Sequence, residues 1–261
     1  MDLQLKNRLA LVSGSTAGIG HAIAQSLAAE GARVIVNGRK QAAVDEAVAA
    51  IGAATGNQPL GFAGDLSQAE VAEALVRQHP GIEILVNNLG IFEAKPFEEI
   101  PDADWQRFFD VNVLSGVRLA RLVLPAMKAA DWGRVIFISS ESAVQIPAEM
   151  VHYGMTKTAQ LAVSRGLAES LAGTGITVNS VLPGPTRSRG VNDFVEQVSQ
   201  GKSFAEFETE FFEKVRPTSL IKRFSTPEEV AALVTYVASP LASATTGAAL
   251  RVDGGTTKSA F

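Results

Sequence analysis

Short β-branched and aliphatic runs alternate along the chain with longer Ala- and Leu-rich segments of helical period. The runs are Leu9-Ala10-Leu11-Val12, Val34-Ile35-Val36 and residues 82–86, 134–138 and 176–181, with weaker ones at 60–63 and 249–252. Each has strand length and is mostly apolar, so both faces expect cover. Between them the apolar spacing predicts helices over 18–30, 40–51, 67–78, 102–128 and 150–171. Each is long enough to cross back over a sheet and deliver the next strand in parallel.

Right-handed crossovers between buried parallel strands give an α/β chain with a Rossmann fold: a doubly wound parallel sheet of about seven strands with helices on both faces. Its ligand crevice belongs at the carboxyl ends of the strands. No repeat, low-complexity tract or linker divides the 261 residues, a length that one α/β core commonly serves, so a single domain is expected. The exception in texture is 187–226, which holds six of the 13 phenylalanines and no strand-like run. Spacing of Val191, Phe194, Val195 and Val198, then Phe204, Phe207 and Phe211, predicts two short amphipathic helices. A segment this long between a strand and the helix opened by Thr226-Pro227-Glu228-Glu229 reads as a substrate lid. Its phenylalanines would serve an apolar or acyl substrate, or simply glue the lid to the body. Arg187, Arg189 and Lys202 are candidates to meet an anionic group.

Composition narrows the chemistry. With 46% hydrophobic and 19% charged residues the chain is expected to fold in water, and a net charge of -4 gives no field that would gather nucleic acid or a membrane surface. The absence of cysteine removes disulfides, thiolate nucleophiles and cysteine-ligated zinc. His21, His79 and His152 are scattered without ligand spacing, so no metal is expected. No apolar stretch reaches the roughly 20 residues that span a bilayer. The charged start, Met1 to Arg8, is unlike a secretory leader, which makes the cytoplasm the expected location.

After the first predicted strand comes Ser13-Gly14-Ser15-Thr16-Ala17-Gly18-Ile19-Gly20, opening directly into a helix. Glycines there permit a sharp turn, let backbone N–H groups approach a pyrophosphate, and aim the helix dipole at it. The second strand ends in Asn37-Gly38-Arg39-Lys40. A carboxylate at this point would select the ribose hydroxyls of NAD(H), whereas Arg39 can pair with the 2′-phosphate of NADP(H). NADP(H) is therefore favoured and NAD(H) stays possible, against the plain alternative that Arg39 is a solvated cation.

These residues resemble the short-chain dehydrogenase/reductase family, and the likeness runs from about Leu5 to Gly255. The glycines keep that family's Gly-x3-Gly-x-Gly spacing at Gly14, Gly18 and Gly20. Asp65-Leu66 looks like its adenine contact, and Asn87-Asn88-Leu89-Gly90 looks like its Asn-Asn-Ala-Gly turn. Asn112, Ser140, Tyr153 and Lys157 stand where its catalytic tetrad would lie. Pro183-Gly184-Pro185-Thr186 matches the turn whose threonine usually meets the nicotinamide carboxamide. Ser13, Leu89 and Ala17 depart from the family's commoner Thr, Ala and basic residue, which leaves Arg39 as the main cation that could discriminate cofactors. The resemblance implies a homotetramer joined through the last strand, and a reductase similar to those acting on 3-oxoacyl thioesters.

Tyr153 and Lys157 are four apart in a helical segment, so they project from one face. A phenol titrates near 10 and a lysine near 10.4, and a neighbouring ammonium would favour the phenolate and bring proton exchange toward working pH. Tyr153 would then protonate a substrate oxygen during hydride delivery, Ser140 would hold that oxygen, Lys157 would hold the nicotinamide ribose, and Asn112 would bind a relay water. The last role, and the choice of Ser140 over Ser139 and Ser142, rest on the resemblance. Ordinary packing also accounts for a Tyr and Lys four apart, turn bonding for the asparagines and serines, and pocket wall or surface for His152. An NADP-dependent oxidoreductase on a carbonyl or alcohol leads, ahead of an NAD-linked sugar or polyol dehydrogenase, a cofactor-sensing regulator without turnover, and a scaffold that binds no cofactor.

Overall fold

The computed structural model describes residues 1–187 and 203–260. Its seven strands are β1 (Leu9–Val12), β2 (Arg33–Gly38), β3 (Leu60–Ala63), β4 (Ile84–Asn87), β5 (Gly133–Ile138), β6 (Ile176–Pro183) and β7 (Ala249–Val252). They form one parallel sheet in the order β3-β2-β1-β4-β5-β6-β7. The helices are α1 (Gly18–Ala29), α2 (Gln41–Thr55), α3 (Ala69–Gln78), α4 (Asp102–Phe109), α5 (Ser115–Ala129), α6 (Val151–Ser170), α7 (Phe204–Glu210) and α8 (Pro227–Val237). No described helix is long and apolar enough to cross a membrane.

Strand side chains alternate between two faces, and the sheet has a separate core on each. Ala10, Val12, Val34 and Val36 point to one layer with Ile23 and Leu27 of α1 and Val230 and Val234 of α8. Leu9, Leu11, Ile35 and Leu85 point to the other, with Leu75 of α3 and Leu119 and Val123 of α5. Burial on both sides is why these strands read as continuous apolar runs. The chain builds outward from β1 through β2 to β3, then crosses to β4 on β1's other side. The loops after β1 and β4 therefore diverge and open the crevice.

Two predicted segments differ. Instead of one helix over 102–128 there are α4, a π-helical turn at Asp110–Leu114, and α5. The wider turn presents the buried Asn112 side chain to the backbone of Ile91, which it bonds in both directions, N–H to Oδ1 at 2.8 Å and Nδ2 to O at 2.9 Å. Of the two helices predicted after Arg187, the second is α7, opened by a Ser203–Glu206 capping box and continued by a π turn at Phe211–Val215. The first, with Arg189 and Lys202, lies outside the described residues. Phe204, Phe207, Phe211, Phe212 and Phe224 pack on one another, Phe224 lying 5.0 Å from Phe211 and 5.2 Å from Phe212 between ring centroids. Phe212 and Phe224 are buried and glue the segment to the body, while Phe204, Phe207 and Phe211 keep part of their surface exposed and Phe194 lies outside the described residues. Arg187 is stacked over Phe204 at 4.0 Å and stands exposed.

Candidate active site

The turn between β1 and α1 is shaped by close approach. Gly14 and Gly18 have φ of +62° and +57°, and a Cβ on Gly20 would fall 2.6 Å from the Gly14 carbonyl and 2.5 Å from Asn88 Nδ2. Helix α1 begins at Ala17, which offers no side-chain cap, and no acidic residue occupies its first turn. The first N–H groups of α1 thus face outward beside a positive dipole end, which suits a phosphate. Ser15 does not face that space: its hydroxyl donates to Val12 O at 2.7 Å and accepts from Asn37 N–H at 2.9 Å. Ile19 is half-buried against the α1 core.

Asn88 is committed to holding the turn. Its amide donates to the carbonyls of Ser13 and Gly14, each at 3.0 Å, and Ser13 Oγ accepts from the N–H groups of Asn88 and Leu89. Thr16 lies over Gly38, where a Cβ would come within 2.5 Å of Thr16 Cγ2, so a larger residue at that position would have to displace Thr16. Arg39 beside it is exposed. Asp65 turns its carboxylate back on Ser67, accepting from N at 3.0 Å and Oγ at 2.7 Å, and Leu66 is in the core. Of this pair only backbone and the outer carboxylate edge are left to meet a ligand.

At the carboxyl ends of β4 and β5 the four remaining residues converge. A Cβ on Gly90 would lie 3.5 Å from both Asn112 Oδ1 and Lys157 Nζ, so this bare glycine marks where the two side chains meet. Lys157 is buried, donates to the last carbonyl of β5, Ile138 O, at 2.9 Å, and has Nζ 5.6 Å from the centre of the Tyr153 ring. Tyr153 has a half-buried ring with Phe92 edge-on at 6.4 Å, and Ser140 and Glu141 are close enough to act on its phenol. Ser139 instead donates to Lys157 O at 2.9 Å, which separates it from Ser140 in role. On the β6 side, Gly184 packs so tightly on Asp253 that a Cβ would meet its carbonyl at 2.6 Å, and Thr186 Oγ1 donates to Gly184 O at 2.8 Å. Pro183, which ends β6, and this turn thus close the crevice opposite the glycine loop. A glycine cradle, an open helix start and a buried Lys–Tyr pair at one crevice fit a nicotinamide dinucleotide.

The family model described as enoyl-(acyl carrier protein) reductase matches residues 14–257. The chain belongs to the short-chain dehydrogenase/reductase family. It is 48% identical over 266 residues to the uncharacterized oxidoreductase YvaG of Bacillus subtilis, covering all of both chains. It is 32% identical to the 3-oxoacyl-(acyl-carrier-protein) reductase of Aquifex aeolicus, across 98% of this chain and 99% of that one. The crystal structure of L-sorbose reductase from Gluconobacter frateurii, complexed with NADPH and L-sorbose, superposes with a TM-score of 0.94 at 31% identity, covering 99% of this chain and 100% of that one. As a member of this family the protein is an oxidoreductase.

Within this dehydrogenase/reductase site, burial sets the electrostatics of the free protein. Burial pushes the Tyr153 phenol up, and the nearby Glu141 charge pushes it further, with Ser140 and Arg216 opposing. Lys157 is itself depressed to about 8 by burial. In the free protein the phenol is therefore a proton holder, because desolvation of the phenolate and the Glu141 charge outweigh the help from Ser140 and Arg216. His152 is not pocket wall or surface: it is buried with its ring 4.1 Å from Phe108 and 6.0 Å from Trp105, on the far side of α6. Asn112 gives both amide hydrogens away, to Ile91 O and to Thr156 Oγ1 at 3.0 Å, and its own carbonyl receives Gln160 Nε2 at 2.5 Å. Gln160 was legible as a companion, being three residues after Lys157 on the same helical face. Asn37 and Glu141 had no sequence signal, since their partners come from distant segments.

Proposed function

We propose that this protein is an NADP(H)-dependent reductase and alcohol dehydrogenase that moves a hydride between the nicotinamide and a carbonyl or secondary alcohol. The reading rests on one observation: Tyr153, Ser140 and Lys157 share the crevice that the glycine turn opens. Gly14, Thr16, Gly18, Ile19 and Gly20 would cradle the pyrophosphate, with Ser15 bracing that turn from behind through Val12 and Asn37, Arg39 would take the 2′-phosphate, and Asp65 and Leu66 the adenine. Asn88, Gly90, Pro183, Gly184 and Thr186 would frame the nicotinamide side, with Lys157 on the ribose. When bound, the nicotinamide gives hydride in reduction and takes it in oxidation, its positive charge when oxidised favouring the phenolate. Tyr153 then gives its proton to the substrate oxygen, Ser140 donates a hydrogen bond to that oxygen, and Lys157 steadies the charge left on the phenol. Asn112 bonds the β4 loop to α6, and a water on its remaining oxygen lone pairs would complete a proton path to Lys157.

Phe92, Val144 and Ile146, about half exposed at 49%, 52% and 49%, rim the Tyr153 side of the crevice and suit an acyl chain, which supports a 3-oxoacyl thioester. The lid at 187–226, a homotetramer through the edge strand β7 and a cytoplasmic location belong to the same reading. The likeness to L-sorbose reductase favours a second, a sugar or polyol dehydrogenase. Turnover of ketones, 3-oxoacyl thioesters and ketoses with NADPH and with NADH separates these. No turnover of any carbonyl with either cofactor overturns the function, and strong NADH preference overturns the role of Arg39. Sedimentation and cell fractionation test the assembly and the location.

A further inference from the structure

Glu141 has no task in the reaction as described, yet it is buried directly after Ser140, in the 3-10 turn Glu141–Ala143. A carboxylate in such a place is costly unless paired. Its Oε1 lies 3.2 Å from Arg216 Nε, and its Oε2 accepts the Ser140 hydroxyl at 2.6 Å. Arg216 follows the π turn Phe211–Val215 and is itself largely covered, with Nη1 reaching Glu149 Oε1 at 3.4 Å. Gln145 Nε2 to Thr218 Oγ1, at 3.4 Å, ties the same two segments together again.

A serine hydroxyl has one proton and two lone pairs. Ser140 directs its proton to Glu141 and accepts from Ser142 N–H at 3.1 Å, which leaves one lone pair open. To stabilise a substrate oxygen Ser140 must donate instead, so its proton has to turn away from Glu141. Arg216 offsets the carboxylate charge and weakens that competing bond. We infer that Glu141 and Arg216 are a charge-balanced pair of positioning residues that sets the direction in which Ser140 donates, and so ties the reacting hydroxyls to the segment after α7.

The inference rests on the assignment of Ser140 and Tyr153 above, but its test needs no turnover. The two charges act on the phenol in opposite senses, Glu141 raising it and Arg216 lowering it. Among the described residues, the other polar groups near the phenol are Ser140 and Lys157, with Glu149 beyond Arg216, while His152 faces Trp105 and Phe108. The chain has two tyrosines, and Tyr236 stands partly exposed on α8. In a Tyr236→Phe background, Tyr153 is the lone phenol, and its ionisation can be followed by phenolate absorbance with saturating NADP⁺. Glu141→Gln should lower the midpoint by about one pH unit or more. Arg216→Met should raise it, out of the folded range if need be, and Arg216→Lys should restore the parent midpoint. A Glu141→Gln midpoint that does not fall, or shifts of one sign in both variants, overturns the inference. If Glu141→Gln fails to fold, Arg216→Met and Arg216→Lys decide it alone. Opposed phenol shifts without carbonyl turnover would fault the proposed function and leave this pairing standing.

Discussion

Two buried cations stand at opposite ends of β5, and they are treated differently. Arg134, at the amino end, is surrounded by carbonyls: Nε donates to Ser239 O at 3.3 Å, and Nη1 to Gly133 O at 2.8 Å and Gly175 O at 3.1 Å. Its guanidinium also lies 4.6 Å from the Trp132 ring, which Arg8 covers from 3.9 Å. Lys157, at the carboxyl end, has one protein acceptor among the described residues, Ile138 O. Burial lowers both, Arg134 to about 10 and Lys157 to about 8. A cation held by three carbonyls from three segments is a fastener. One held by a single carbonyl, beside a phenol, keeps donors for chemistry.

That contrast breaks first on Tyr153→Phe, which removes the proton that Lys157 serves. kcat/KM should fall about 10³-fold with melting unchanged, since a positioned acid-base group commonly contributes 10²- to 10⁴-fold. At the other end, Arg134→Met leaves the Ser239, Gly133 and Gly175 carbonyls short of donors. Urea unfolding should show a loss of about 3 kcal/mol or more, with kcat/KM of the folded protein within about twofold of the parent. A change mainly in turnover would erase the distinction between the two ends.

Lys157→Met sharpens it from the other side. A lysine lowered to about 8 from its ordinary 10.5 binds fewer protons folded than unfolded, so it weakens the fold fully below pH 8 and relaxes as pH climbs toward 10.5. Lys157→Met should therefore be inactive yet more stable at pH 7, by at most about 3 kcal/mol, an advantage that fades in that alkaline window. Melting curves at several pH values check this, and a variant less stable at pH 7 would contradict it. The smallest expected effect is on cofactor choice: Arg39→Ala should reduce the NADPH-over-NADH ratio of kcat/KM about tenfold, roughly 1.4 kcal/mol.

Much of the architecture was legible because its causes are short-range. The Gly14, Gly18, Gly20 turn and the four-residue step from Tyr153 to Lys157 are set by φ freedom and helical pitch. A break in the helical pattern at Asn112 was expected from the role the resemblance gives that residue, and the π turn Asp110–Leu114 supplies it, but its form and its bonds to Ile91 are not encoded by any local pattern. The phenylalanines after Arg187 were recognised as a group. That they would meet Phe224, which joins the cluster from outside the helical pattern, was not legible.

Periodicity and turn chemistry already specified the strands, the crossover helices, the dinucleotide turn and the spacing of the reacting pair, because each is governed by neighbours a few residues apart. Folding alone settled which way the hydroxyls and charges point. Glu141 meets Arg216 across 75 positions of chain, and burial of Tyr153 and Lys157 fixes where they titrate. Proton affinity depends on the dielectric and charges assembled around a group, and those arrive only when distant segments pack together.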